Sequence, residues 1–245
     1  MPEREVALNG FMEFISGAEV TGVLKLLTII GISIIAGIFA GNGAVVVFNR
    51  MPASWLCDYR EAPNEYLKQA GGQRIKSYPW KPAFSMLFVL VTVKMAVYDW
   101  QYALAALIAL WALLIIALAD QKYMIIPDQF IILLALTALG FAPYHGSFLL
   151  PLYGALIGGG CMFLIGFAGK LIVKKEALGF GDVKLFAAVG LVTGPVGVAL
   201  ILVASSFLSC LVFGIGLLRK KIKRTDVLPL GPYIAFSTAI YLIFT

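Results

Sequence analysis

Three aspartates stand in an otherwise apolar chain at places where charge is costly. Asp120 and Asp128 share the run ALADQKYMIIPDQF, Asp128 directly after Pro127, and Asp182 closes the GFGD of KKEALGFGDVKLF. Ionisable residues at membrane depth are expensive to keep and are functional-site candidates by default. Two carboxylates brought close together cannot both ionise easily, so one keeps a proton and acts as acid while the other acts as base on a water. Asp120 and Asp182 would form such a pair if the fold carries both to the same end. Gly179 and Gly181 beside Asp182 would let a substrate backbone approach, since no side chain stands in the way. The ordinary role of a lone aspartate at a span end is a helix cap or a solvated boundary charge. That reading has most weight for Asp128 and least for Asp182 in GFGD.

The elements that must position these residues are membrane spans. Of 245 residues, 61% are hydrophobic and only 13% charged, and the mean hydropathy is +0.94, which excludes an ordinary soluble domain. A span takes ~20 mostly apolar residues. Apolar runs bounded by charge, proline or glycine fall near 23–48, 82–98, 102–119, 129–145, 149–173, 183–194, 196–218 and 230–245. The expected fold is therefore all-α, a polytopic bundle of about eight spans. The run 183–194 is short and reads equally as a half-buried helix lining a cavity, where irregular backbone is tolerated. The chain divides into an extracytoplasmic segment 1–22, a first span 23–48, a cytoplasmic loop 49–81 and a membrane-embedded core 82–245.

Charge sets the orientation. Arg50, Arg60, Lys68, Arg74, Lys76 and Lys81 fall in the first long connection, then Lys122, then Lys170, Lys174 and Lys175, then the run from Arg219 to Arg224. The alternate connections, around Asp99, His145 and Gly194, have no Lys or Arg. By the positive-inside rule the basic loops are cytoplasmic and both termini lie outside. The net charge of +6 is thus spread over loops rather than gathered in a basic face, which argues against nucleic acid as a partner and for the bilayer. The opening MPEREVALNGFMEF lacks the basic start of a cleaved signal, so the first span is expected to serve as its own insertion signal.

The remaining residues carry plainer expectations. Cys57, Cys161 and Cys210 have no close pairing and suggest neither disulfides nor a metal site. Gly154 and Gly158, followed by Gly159 and Gly160, suit close helix approach or simply reflect the glycine content of membrane helices. His145 falls on the expected outer side with no catalytic or metal role, and Trp55, Trp80 and Trp100 fall near span boundaries. No internal repeat of the transporter kind is visible.

At the aspartate motifs the chain resembles the type IV prepilin peptidases, membrane aspartic proteases of the GxGD type. The matching residues are Asp120 with Ile126-Pro127-Asp128, and Gly179-Phe180-Gly181-Asp182-Val183-Lys184. Softer matches are VVVFNRMP, with Asn49, Arg50 and Pro52, and LPLGPYIA, with Pro229, Gly231 and Pro232. The resemblance implies that Asp120 and Asp182 are the catalytic dyad, with Asp128, Lys184, Pro127, Gly179 and Gly181 in support. It also implies a bacterial cytoplasmic-membrane enzyme with its active site at the cytoplasmic face. Its substrates would be prepilin or pseudopilin precursors, cut just before the hydrophobic segment.

The sequence departs from the pattern in one respect. Many bacterial members carry two C-x-x-C pairs in the first cytoplasmic loop, a zinc spacing, whereas residues 50–81 contain only Cys57. No metal is therefore expected. S-adenosylmethionine is expected as a cofactor only if the second activity of such members, methylation of the new N-terminus, is retained, and the altered loop weighs against that. Two readings from other classes compete: an ion- or proton-coupled transporter using the same aspartates, and a non-catalytic scaffold. The sequence carries no signal for oligomeric state.

Overall fold

A computed structural model describes residues 17–57, 74–173, 179–221, 223 and 228–245. Residues 1–16, most of the expected N-terminal segment, and 58–73, half of the first loop, lie outside the described residues. In hydrocarbon a chain must satisfy its own backbone, and an apolar run does so by coiling into helix. The chain forms α1 (Gly17–Arg50), α2 (Ser77–Tyr98), α3 (Trp100–Tyr123), α4 (Asp128–Phe141), α5 (Leu149–Val173), α6 (Phe180–Leu218) and α7 (Gly231–Phe244). Short 3-10 turns lie at Ala53–Leu56 and Ala142–Tyr144. No strand occurs among the described residues, so the fold is all-α. Five helices, α1, α2, α3, α5 and α6, are long and apolar enough to cross a membrane, whereas α4 and α7 are shorter apolar helices.

One boundary differs from expectation, and one expected break is found inside a single long helix. The first loop ends at Lys76 rather than residue 81, because α2 already begins at Ser77. The two runs expected at 183–194 and 196–218 belong to α6, which breaks between them: Gly194 has φ 69° and ψ −176°, and Pro195 follows. Only glycine takes that conformation without strain, and proline offers no N–H to continue the ladder. The break reverses the chain. Gly158 of α5 lies against both Phe186 and Val198, and Gly154 against both Gly190 and Gly194. In a straight helix residues 186 and 198 would lie ~18 Å apart, so α6 is a hairpin of two arms. His145, on the turn before α5, places a ring nitrogen 3.1 Å from the Val192 carbonyl oxygen beside the break.

Glycine sets the closest approaches. A side chain at Gly154 or Gly158 would overlap the backbone of Gly190 or Phe186, and one at Gly37 or Gly41 would overlap the backbone at Val89 or Ser85. The α5–α6 and α1–α2 pairs are thus backbone-to-backbone contacts. Helix α3 forms the centre, packed against α1, α2, α4 and α7, and its Ala106, Ala109, Ala112, Ile115, Ile116 and Ala119 are fully buried.

The connections gather at two ends. At one, Asn49 exchanges hydrogen bonds with the backbone of Ile75, its Oδ1 accepting at 2.8 Å and its Nδ2 donating at 3.0 Å. There too Arg74 donates to the Phe48 carbonyl at 2.9 Å and Lys122 donates to the Arg74 carbonyl. At the other, Tyr144 donates to Asp99 at 2.6 Å and Tyr102 to the Leu242 carbonyl at 3.1 Å. Asp99 is the N-cap of α3, its Oδ1 accepting from the N–H groups of Gln101 and Tyr102.

Candidate active site

Asp120 lies in the last turn of α3, on the buried side of the central helix, with 5% of its surface exposed. One of its oxygens, Oδ2, accepts a 2.7 Å hydrogen bond from the backbone N–H of Gly231, the first residue of α7. Helix α3 then ends at Met124, whose left-handed φ of 56° turns the chain toward α4. Buried Pro127 caps α4 and Asp128 opens its first turn.

Asp182 opens the first arm of α6, its N–H donating to the Gly179 carbonyl at 3.1 Å. The glycine contacts of Gly154 and Gly158 hold that arm against α5. Asp120 at the end of α3 and Asp182 at the start of α6 lie at the same end of the bundle, near enough for the charge of one to act on the other. Asp128 goes elsewhere. Both of its oxygens accept from the Lys184 ammonium, at 3.0 and 2.8 Å, one α-helical turn past the start of the same arm. The pair is part-buried, each side chain about a third exposed at 31% and 30%. Among the described residues, its countercharge distinguishes Asp128 from the other two aspartates.

The two glycines of the motif differ. Gly179 is exposed, and a side chain there would stand 3.5 Å from Oδ2 of Asp182, in ordinary contact with the carboxylate. At Gly181 the constraint is internal: a Cβ would meet Ile126 at 3.2 Å, so the start of α6 packs tightly on the segment before Pro127. Gly231 was not among the expected site residues. Its part is played by a backbone N–H, which has no side-chain signature, and only its setting between Pro229 and Pro232 marked it.

Among the described residues no three His, Cys, Asp or Glu side chains gather as a metal set. Cys57 spends its thiol on the Ala53 carbonyl, 2.9 Å away.

The model of the type IV leader peptidase family matches residues 107–215, a stretch holding Asp120, Asp128, Asp182 and Lys184. The leader peptidase HopD of Escherichia coli is 35% identical over 136 residues, which cover 54% of this chain and 82% of that protein. The chain belongs to the type IV leader peptidase family. Its other relatives include the prepilin leader peptidase/N-methyltransferase of Aeromonas salmonicida, 33% identical over 171 residues that cover 68% of this chain and 57% of that protein. The protein of the same description from Pseudomonas aeruginosa is 30% identical over 150 residues, covering 60% and 51%. The chain thus spans little more than half the length of these two longer family members. No solved structure matches it.

The methyltransferase part of those names implies S-adenosylmethionine. Near Asp120 and Asp182 the described residues include an ammonium already held by Asp128 and a backbone N–H already held by Asp120. A cavity of about 330 Å³ lies beside Lys25, Asp99 and Trp100, roughly 30 Å along α3 from Asp120 at 1.5 Å per residue.

Proposed function

We propose that the protein is a membrane aspartic endopeptidase that removes the short basic leader of type IV prepilin or pseudopilin precursors. What supports this is that Asp120 and Asp182 lie at one end of the bundle within electrostatic reach of each other, while Asp128 is tied to Lys184. A dyad needs two carboxylates that face each other without a countercharge between them, so that a proton can be shared and a water activated. The names of the relatives agree with this chemistry.

The dyad lies at the end of the bundle where Arg50, Lys122 and Arg219 emerge, the end assigned to the cytoplasm by the positive-inside rule. The enzyme sits in the bacterial cytoplasmic membrane with both termini on the opposite face. A precursor is held across the boundary, its basic leader in the cytoplasm and its apolar segment among the helices, which places the scissile bond at the depth of the aspartates. Peptide hydrolysis by this route uses water and two carboxylates, and methylation of the product is not part of the proposal.

The test is direct. The purified protein in detergent is incubated with a type IV prepilin precursor and cleavage is followed as a mobility shift. Cleavage by wild type that is absent from Asp120→Asn and Asp182→Asn supports the reading. No cleavage by wild type, or full cleavage by both variants, refutes it.

A further inference from the structure

We infer that Gly231 is the positioning residue of the dyad: its backbone N–H holds Oδ2 of Asp120, making Asp120 the carboxylate that takes the proton from water and Asp182 the group that gives one up. This rests on the aspartic dyad proposed above.

The geometry admits little else. An N–H only donates, so the Asp120 Oδ2 that it meets at 2.7 Å accepts, an arrangement that favours the ionised carboxylate. A hydrogen bond to a carboxylate is among the strong ones. The first N–H groups of a helix have no intrahelical partner, and here Gly231 finds its partner in Asp120. Buried Pro229 and the proline at position 232 brace the start of α7, while the Leu230 carbonyl takes up the N–H groups of Tyr233 and Ile234. With Oδ2 engaged, Oδ1 is the atom left for water.

Glycine serves here for room, since its φ is not in the left-handed region that Gly194 occupies. A Cβ on Gly231 would stand 2.8 Å from Oδ2, 3.0 Å from Cβ and 3.2 Å from Cγ of Asp120. The carboxylate and the amide approach so closely that neither can move without the other.

The roles balance. As the water oxygen bonds to the scissile carbonyl carbon, a water proton passes to Oδ1 of Asp120 and the Asp182 proton passes to the carbonyl oxygen. When the C–N bond breaks, the leaving nitrogen takes the proton from Asp120, and a hydroxyl proton of the intermediate returns to Asp182. Both carboxyl groups end as they began.

The experiment compares Gly231→Ala with the Asp120→Asn and Asp182→Asn variants, in the same detergent and with the same prepilin precursor, normalised to folded protein by thermal melting. A displacement of ~1 Å at a reacting group costs about 10²-fold in rate, so Gly231→Ala should lose about 100-fold in kcat with KM within twofold. Wild-type kcat per folded molecule, or a loss confined to KM or to the folded fraction, overturns the inference. A second variant replaces only the Gly231 N–H with an ester oxygen, adding no bulk, and stands in if the alanine variant does not fold. It should lower kcat at least tenfold with KM unchanged, and an unchanged kcat is again decisive against the inference. Should the Asn variants cleave at the wild-type rate, the dyad reading itself fails. If they are inactive while both Gly231 variants are fully active, only the positioning role fails.

Discussion

Lys184 and Asp128 form a two-pronged ion pair that ties the first arm of α6 to the start of α4, through contacts of 2.8 and 3.0 Å. The pair joins the two motifs mechanically and, in the proposed mechanism, leaves Asp120 and Asp182 to each other. Exposed pairs contribute ~0.2–1 kcal/mol, and this one is about a third exposed. Asp128→Asn should therefore retain measurable cleavage, within about tenfold of wild type. Asp120→Asn and Asp182→Asn, which each remove half of an acid/base pair, should lose at least the 10²–10⁴-fold typical of such groups, with membrane insertion unchanged. Normal cleavage by Asp120→Asn together with none by Asp128→Asn would reverse the assignment.

Cleavage should persist in EDTA. The proposed mechanism activates water with carboxylates, and the first loop contains one cysteine where a zinc site needs more. A rate that collapses with chelator and returns with added zinc is the contrary result.

Substrate docking across the boundary makes the apolar segment of the precursor the more sensitive part. A charge placed there costs ~2.5–3.5 kcal/mol on insertion scales, so such precursors should be processed at least tenfold more slowly. Shortening the leader while keeping the residues beside the cut should matter less. Cleavage rates for the two precursor series decide between this arrangement and recognition through the leader alone.

Packing gives a prediction independent of catalysis. Gly154→Val sets a branched side chain into the Gly190 backbone, and overpacking of a close contact typically costs ~1–3 kcal/mol. The melting temperature in detergent should fall by several degrees, whereas Gly160→Val, at a position with open space around its Cα, should melt like wild type.

Asp99 supplies a pH dependence at the far end. Its acidity is strengthened, first by the Tyr144 hydroxyl and then by the Tyr102 N–H, so its pKa lies below the ordinary 3.8. A group with a lowered folded-state pKa stabilises the fold above the unfolded value and ceases to do so as pH falls through the folded one. The melting-temperature advantage of wild type over Asp99→Ala should be complete above about pH 4 and shrink below it. An advantage independent of pH down to pH 2 contradicts the cap's role.

Much of the proposed site was legible because its chemistry resides in side-chain types. An aspartate in an apolar run has few reasons to be there, and GFGD and IPD each carried enough local pattern to point at Asp120, Asp128 and Asp182. The reversal at Gly194 was legible for a similar reason, since Gly-Pro marks a break in any helix. The end of the first loop was not, because YPWKP reads as loop. In the structure α2 opens at Ser77 but is non-helical at Tyr78, so Pro79 and Pro82 fall within the first four residues of its regular part, where an N–H has no helical partner to lose. The contacts of Gly231 and Asn49 were hidden for a different reason: each involves backbone from a distant part of the chain, and no spacing rule encodes that.

The hairpin at Gly194 carries a constraint of parity. The two arms of α6 return the chain to the end where it started, and so α7 enters beside Asp120 with Gly231 leading. Remove one arm and α7 would enter from the opposite end, delivering its amide a full bundle length from the carboxylate. An architecture of this kind can gain or lose helices between Asp182 and Gly231 only in even numbers. Losing a single helix here would cost the contact between Gly231 and Asp120.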